Sequence, residues 1–103
     1  MDTDQEKKID RITEEKLAKY FAITREAIAM IEEKGFASGK EDDAREVLSM
    51  AKNYLSDATT HFYPKQDFVN AFAAINYAHG WLDAGARLGL FLVHDSRLFT
   101  VDD

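Results

Sequence analysis

Between Phe68 and Leu92 the chain carries only two formally charged residues, Asp83 and Arg87. That run is far longer than a typical strand, and its alanines and leucines are helix formers. It predicts a helix from Asp67, a suitable N-cap, to about Gly89. On a wheel at about 100° per residue, Phe68, Ala71, Ile75, Ala78, Leu82 and Ala86 form one face. Tyr77, Trp81, Ala84 and Leu88, with Ala73 and Ala74, form a second. Polar side chains are confined to a strip holding Asn76, Asp83 and Arg87, with His79 at its edge. A helix apolar nearly all round is expected to be buried. Two neighbouring helices would cover the first face and leave much of the second, so Tyr77, Trp81 and Leu88 need a further cover. The segment 90–103, rich in branched and aromatic residues, could run extended over them; a second copy of the chain or another protein could also serve.

Two more helices precede this one. From about residue 4 to 34, Ile9, Ile12, Tyr20, Ile23, Ala27 and Ile31 recur at three- and four-residue spacing, with Leu17, Phe21 and Ile28 beside them. Gly35 stands where a left-handed C-cap is expected. Ser38-Gly-Lys-Glu41 has the form of a capping box and predicts a second helix from about 39 to 62. Its apolar residues Ala44, Val47, Leu48, Ala51, Tyr54, Leu55, Ala58 and Phe62 make the narrow stripe of a peripheral helix, and Pro64 ends it. The link to Asp67 is short, so these two helices should pack antiparallel. Gly80, Gly85 and Gly89 each cost about 1 kcal/mol of helix propensity against alanine, which suggests close backbone approach there, or a C-cap at Gly89. The expectation is an all-α, antiparallel three-helix bundle with an apolar C-terminal extension, all of residues 1–103 forming a single domain.

With 46% apolar and 31% charged residues, the composition suits a folded rather than a disordered chain. No run reaches the roughly 18 to 20 apolar residues of a membrane span, and the charged start lacks the apolar core of a signal peptide, so a cytoplasmic location is expected. Cysteine is absent, which removes disulfides and thiolate chemistry. A net charge of −6, with no basic third of the chain, argues against a nucleic-acid backbone as partner. Lys7, Lys8, Arg11, Lys16 and Lys19 are interleaved with Glu6, Asp10, Glu14 and Glu15 and read as a solvated helix face.

Signals for chemistry are sparse. Asn76, His79, Asp83 and Arg87 project from neighbouring positions on one helix face. His79 and Asp83 could act as a base and its orienter, with Arg87 holding an anion; the plainer reading is an Asp83–Arg87 ion pair that fixes helix orientation. His61, His79 and His94 are dispersed and do not form a ligand motif, so neither metal nor cofactor is expected. Gly35-Phe-Ala-Ser-Gly-Lys is one residue short of a phosphate-binding loop and follows no strand.

The run from Asp67 to Phe91, above all Tyr77-Ala-His-Gly-Trp-Leu-Asp-Ala-Gly-Ala-Arg-Leu-Gly89, with Ala44-Arg-Glu-Val-Leu-Ser-Met-Ala before it, resembles the short archaeal family DUF357. The likeness covers about residues 17 to 95 and implies a small all-helical protein with no assigned biochemical role. A vaguer likeness to HEPN helical domains, some of which cut RNA with an Arg-x4-His motif, finds no such motif here, because no arginine is followed five positions later by histidine. The functional expectation is a non-enzymatic interaction or assembly module, contacting a second copy or a protein partner through Tyr77, Trp81, Ala84 and Leu88. The alternative is a nucleotide- or RNA-related site, accessory or enzymatic, around Asn76, His79, Asp83 and Arg87.

Overall fold

In the computed structural model, which describes residues 11–99, the first helix α1 spans Glu14–Lys34. It starts later than the hydrophobic spacing suggests. Residues 11–13 are not helical, and residues 4–10 lie outside the described part. The Thr13 hydroxyl accepts the Lys16 amide at 3.1 Å and so caps the first turn, while Ile12 packs from outside the helix on the cluster that holds Leu17. The buried stripe is Leu17, Phe21, Thr24, Ala27, Ile28 and Ile31, which leaves Tyr20 and Ile23 half-buried at its margin.

Gly35 stops α1, with its amide on the Ile31 carbonyl at 2.8 Å. Its conformation is not the expected left-handed cap: φ 91° and ψ −172° make an extended backbone of a kind essentially open to glycine alone. The chain can therefore leave the helix straight into an extended connector. The capping box also fails to form. Ser38 and Gly39 sit in a turn closed by the Lys40 amide on the Ala37 carbonyl, and α2 begins only at Glu41 with Lys40 as an N-cap that makes no side-chain bond. Gly39 at φ 83° makes the turn available, and the turn holds Ser38 outside capping position.

Helix α2 covers Glu41–Ser56 and continues as one π turn over Asp57–Phe62. The Thr59 and Thr60 hydroxyls donate to the Leu55 and Ser56 carbonyls at 2.9 and 2.6 Å. These bonds compete for acceptors of the regular ladder, and the Tyr63 amide reaches back five residues to the Ala58 carbonyl. A turn over Tyr63–Gln66 leads to α3, Phe68–Arg87, where the Asp67 carboxylate accepts the Asn70 amide as the sequence predicts. Its far end closes with a Schellman pair, Gly89 amide to Ala86 carbonyl and Leu90 amide to Gly85 carbonyl.

The helices run up, down and up. One buried cluster joins Ala27 and Ile31 of α1, Ala44 and Leu48 of α2, and Leu82 and Ala86 of α3. A second, at the other end, joins Leu17, Ala58, Ala71, Ile75 and Ala78. Among the described residues there is no strand, only one isolated antiparallel bridge between Phe36 and Phe91. No helix is long and apolar enough to cross a membrane among the described residues.

Candidate functional site

The tail does dock, but not where the sequence suggests. Leu90, Phe91, Val93, Leu98 and Phe99 are buried in the cluster shared by all three helices. The Ala37 amide bonds the Leu90 carbonyl at 2.8 Å, and the Leu92 amide bonds the Gly35 carbonyl at 3.0 Å, so the connector after α1 and the start of the tail hold each other. The Phe91 ring lies on Gly85, where even a methyl group would overlap it. Gly85 is thus a site of close approach, whereas Gly80 is not: its surroundings are open.

Beyond Phe91 the tail crosses to α1 and α3. His79 of α3 stands at the junction, its Nδ1 3.2 Å from the Thr24 hydroxyl of α1 and its Nε2 2.7 Å from the Leu98 carbonyl. Nε2 is also 3.7 Å from Asp83 Oδ1. An Nε2–H tautomer donates to Leu98 while Nδ1 accepts from Thr24, which ties three elements through one ring. Arg97 grips Glu26 of α1 through both guanidinium branches. That hydrogen bond, reinforced by the Arg97 charge, holds the Glu26 carboxyl below its ordinary pKa.

Asn76, His79 and Asp83 do come together, in a hollow of about 500 Å³ completed by Tyr20, Ile23, Ser96, Arg97, Leu98 and Phe99. Arg87 is not part of its lining. His79 and Arg97 are committed to Leu98, Thr24 and Glu26, so the hollow's main polar groups work first as fasteners of the tail. His61 and His94 lie on other elements, and the described residues hold no group of three metal-binding side chains.

The tail's route leaves the second face of α3 bare, against the expectation that a helix apolar all round is buried. Tyr77 is 63% exposed, Leu88 67%, Val69 70% and Trp81 36%; Ala73 and Ala84 are exposed between them. Ala74, which the wheel groups with this face, is instead buried in the cluster with Leu17, Phe21 and Ala58. Tyr77 stacks on Tyr54 of α2 with ring centroids 5.3 Å apart. Tyr54, Asn76, Tyr77, Gly80, Trp81 and Ala84 line a shallow groove of about 350 Å³.

Sequence reading misses Tyr54, Thr24 and the Leu98 carbonyl as partners. Thr24 had a signal, since a hydroxyl inside an apolar helical stripe needs a bonding partner. The Leu98 carbonyl had none, because a main-chain group in an irregular tail leaves no mark in the residue pattern.

A family model described as a protein of unknown function, DUF357, matches residues 19–91. The chain belongs to the DUF357 family. The DUF357 match runs from Lys19 in α1 to Phe91 in the tail, and so takes in all three helices and the residue whose ring packs on Gly85. Comparison with curated proteins and with solved structures finds no match.

Proposed function

We propose that this DUF357 chain is a non-enzymatic interaction module of the cytoplasm that binds another protein surface through Tyr77, Trp81, Ala84 and Leu88. The observation that carries this reading is that the exposed face of α3 stays bare although the apolar tail, the obvious internal cover, is spent elsewhere in the fold. A contiguous apolar patch of that kind marks an interaction surface. Tyrosine and tryptophan are the residues most enriched at interface centres, and here Tyr77 is held in place by Tyr54 rather than free to swing. Burial of such a face contributes roughly 25 cal/mol per Å² before association costs. Asp83 and Arg87, on the flanking strip, set the orientation of the helix that presents it.

The competing reading, a nucleotide- or RNA-related site around Asn76, His79, Asp83 and Arg87, has the hollow in its favour. Against it stand the position of Arg87 outside that lining and the engagement of His79 with the tail. A photoreactive residue placed at Ala84, compared in cells with one at Glu46 on the exposed side of α2, tests the module reading. Discrete protein adducts specific to position 84 are expected. Equal or absent adducts at the two positions would contradict it.

A further inference from the structure

The exposed face of α3 is ordered in a way that suits one partner above others. Along it the side chains run Val69, Ala73, Tyr77, Gly80, Ala84, Leu88. Val69 and Leu88, Ala73 and Ala84, and Tyr77 and Gly80 are pairs with a common midpoint, between Ala78 and His79. Turning a second α3 end for end about that point therefore brings Val69 against Leu88, Ala73 against Ala84, and Tyr77 against Gly80, each contact occurring twice. This is the self-complementarity a two-fold interface requires.

Size fits as well as order. The alanine pairs let the helix axes approach, and Gly80 is open to the outside, with nothing within 4 Å of where a Cβ would stand. It forms the floor of the groove beside Trp81 and Ala84, a seat for an aromatic ring. Charge fits too. The protein carries −6 overall, yet none of these six residues is charged, and Arg87 at the margin would meet the Asn70 amide rather than another cation. From the exposures of Val69, Tyr77, Trp81 and Leu88, with full aromatic areas of about 150–250 Å², the face offers on the order of 500 Å² per protomer. Two such faces together reach the roughly 1,000 Å² at which a specific interface begins, the small end of the range.

We propose that the exposed face of α3 is the two-fold interface of a homodimer, with α3 of one protomer antiparallel to α3 of the other and each Gly80 receiving Tyr77 of the second copy. This rests on the interaction reading above and names its partner.

The test uses the full chain. Sedimentation equilibrium over a concentration series should give a mass of two chains. Gly80→Leu adds a side chain where the monomer has open space, at a helical position that favours leucine, so its fold should hold, with a melting temperature no lower than the native chain's at concentrations where both are single chains. In the dimer it fills the seat and should raise the dissociation constant about tenfold or more. Because the chain has no cysteine, an equimolar mixture of Ala73→Cys and Ala84→Cys proteins should oxidise to a mixed disulfide dimer, while each variant alone should cross-link poorly. A dimer indifferent to Gly80→Leu, or one in which Ala73→Cys cross-links to itself as readily as in the mixture, overturns the proposal. A single-chain mass at every concentration also overturns it. If Ala84 still forms adducts with a different protein in cells, the interaction reading survives that result; if it forms none, both fall.

Discussion

Glycine 85 shows how one missing side chain fixes the course of the tail. The Phe91 ring, 3% exposed, occupies the space a Cβ would take. Gly85→Ala gains helix propensity but must displace that ring, and it should destabilise the fold by about 1–3 kcal/mol in urea unfolding, as overpacked cores do. A neutral or stabilising result would show that the ring moves aside freely. A second residue-scale effect is ionic. Hydrogen bonds from the Asn70 side chain and then its backbone hold Asp67 below the ordinary carboxylate pKa, as Arg97 holds Glu26. A group whose pKa is lower folded than unfolded contributes stability above the unfolded value and loses it as pH falls towards the folded one. The urea midpoint should therefore drop between about pH 5 and pH 3. Asp67→Asn, which keeps a capping side chain, should shallow that drop; an unchanged profile would remove Asp67 from the account. The Asp67 cap could be read from the sequence, because N-caps leave local signatures; a costly mid-helix glycine marks Gly80 as much as Gly85, and only the position of Phe91 separates the open site from the crowded one. The failed capping box at Ser38 could not, since its outcome turned on a loop conformation that two glycines made available.

Among the elements, periodicity identifies all three helices and places the ends of α1 and α3 within about two residues, because Gly35 and Gly89 act locally; the expected end of α2 at residue 62 is reached only through the π turn that follows Ser56. Periodicity misses the start of α1, where the apolar spacing already runs through Ile12 before the helix begins at Glu14, and it leaves open whether the tail covers the second face of α3, which the tail does not do. Tail placement depends on contacts distant in sequence: Gly35 to Leu92, Gly85 to Phe91, His79 to Leu98. These contacts make the tail part of the core. Ending the chain at Gly89 removes Phe91, Val93, Leu98 and Phe99, each worth about 1.5–3 kcal/mol of burial, against a typical total stability of 5–15 kcal/mol. The shortened chain should lack a cooperative unfolding transition; a sharp transition near that of the full chain would demote the tail to decoration. His79→Ala is a finer probe. It leaves the Leu98 carbonyl and Thr24 hydroxyl without their shared partner, so amide exchange should quicken in residues 93–99 while α2 stays protected. Uniform quickening would mean that His79 stabilises the whole bundle and not the tail's attachment.

For the whole molecule, the sequence showed that α3 carries more apolar surface than two helices can cover, which is a property of composition and angle. It could not show which part stays bare. Excess apolar surface was legible; its location required the route of the tail. An occupied interface in solution is what such a bare face requires. Trp81 is the chain's single tryptophan and stands on that face, 36% exposed, so its fluorescence reports on the face without interference. The direct measurement is the Trp81 emission maximum and its acrylamide quenching across a dilution series of the full chain. Trp81 should be blue-shifted and protected at high concentration, then move to longer wavelength and become readily quenched on dilution, with Gly80→Leu already in the exposed state at concentrations where the native chain is protected. Emission and quenching that stay constant at every concentration, and equal in the two proteins, would contradict an occupied interface.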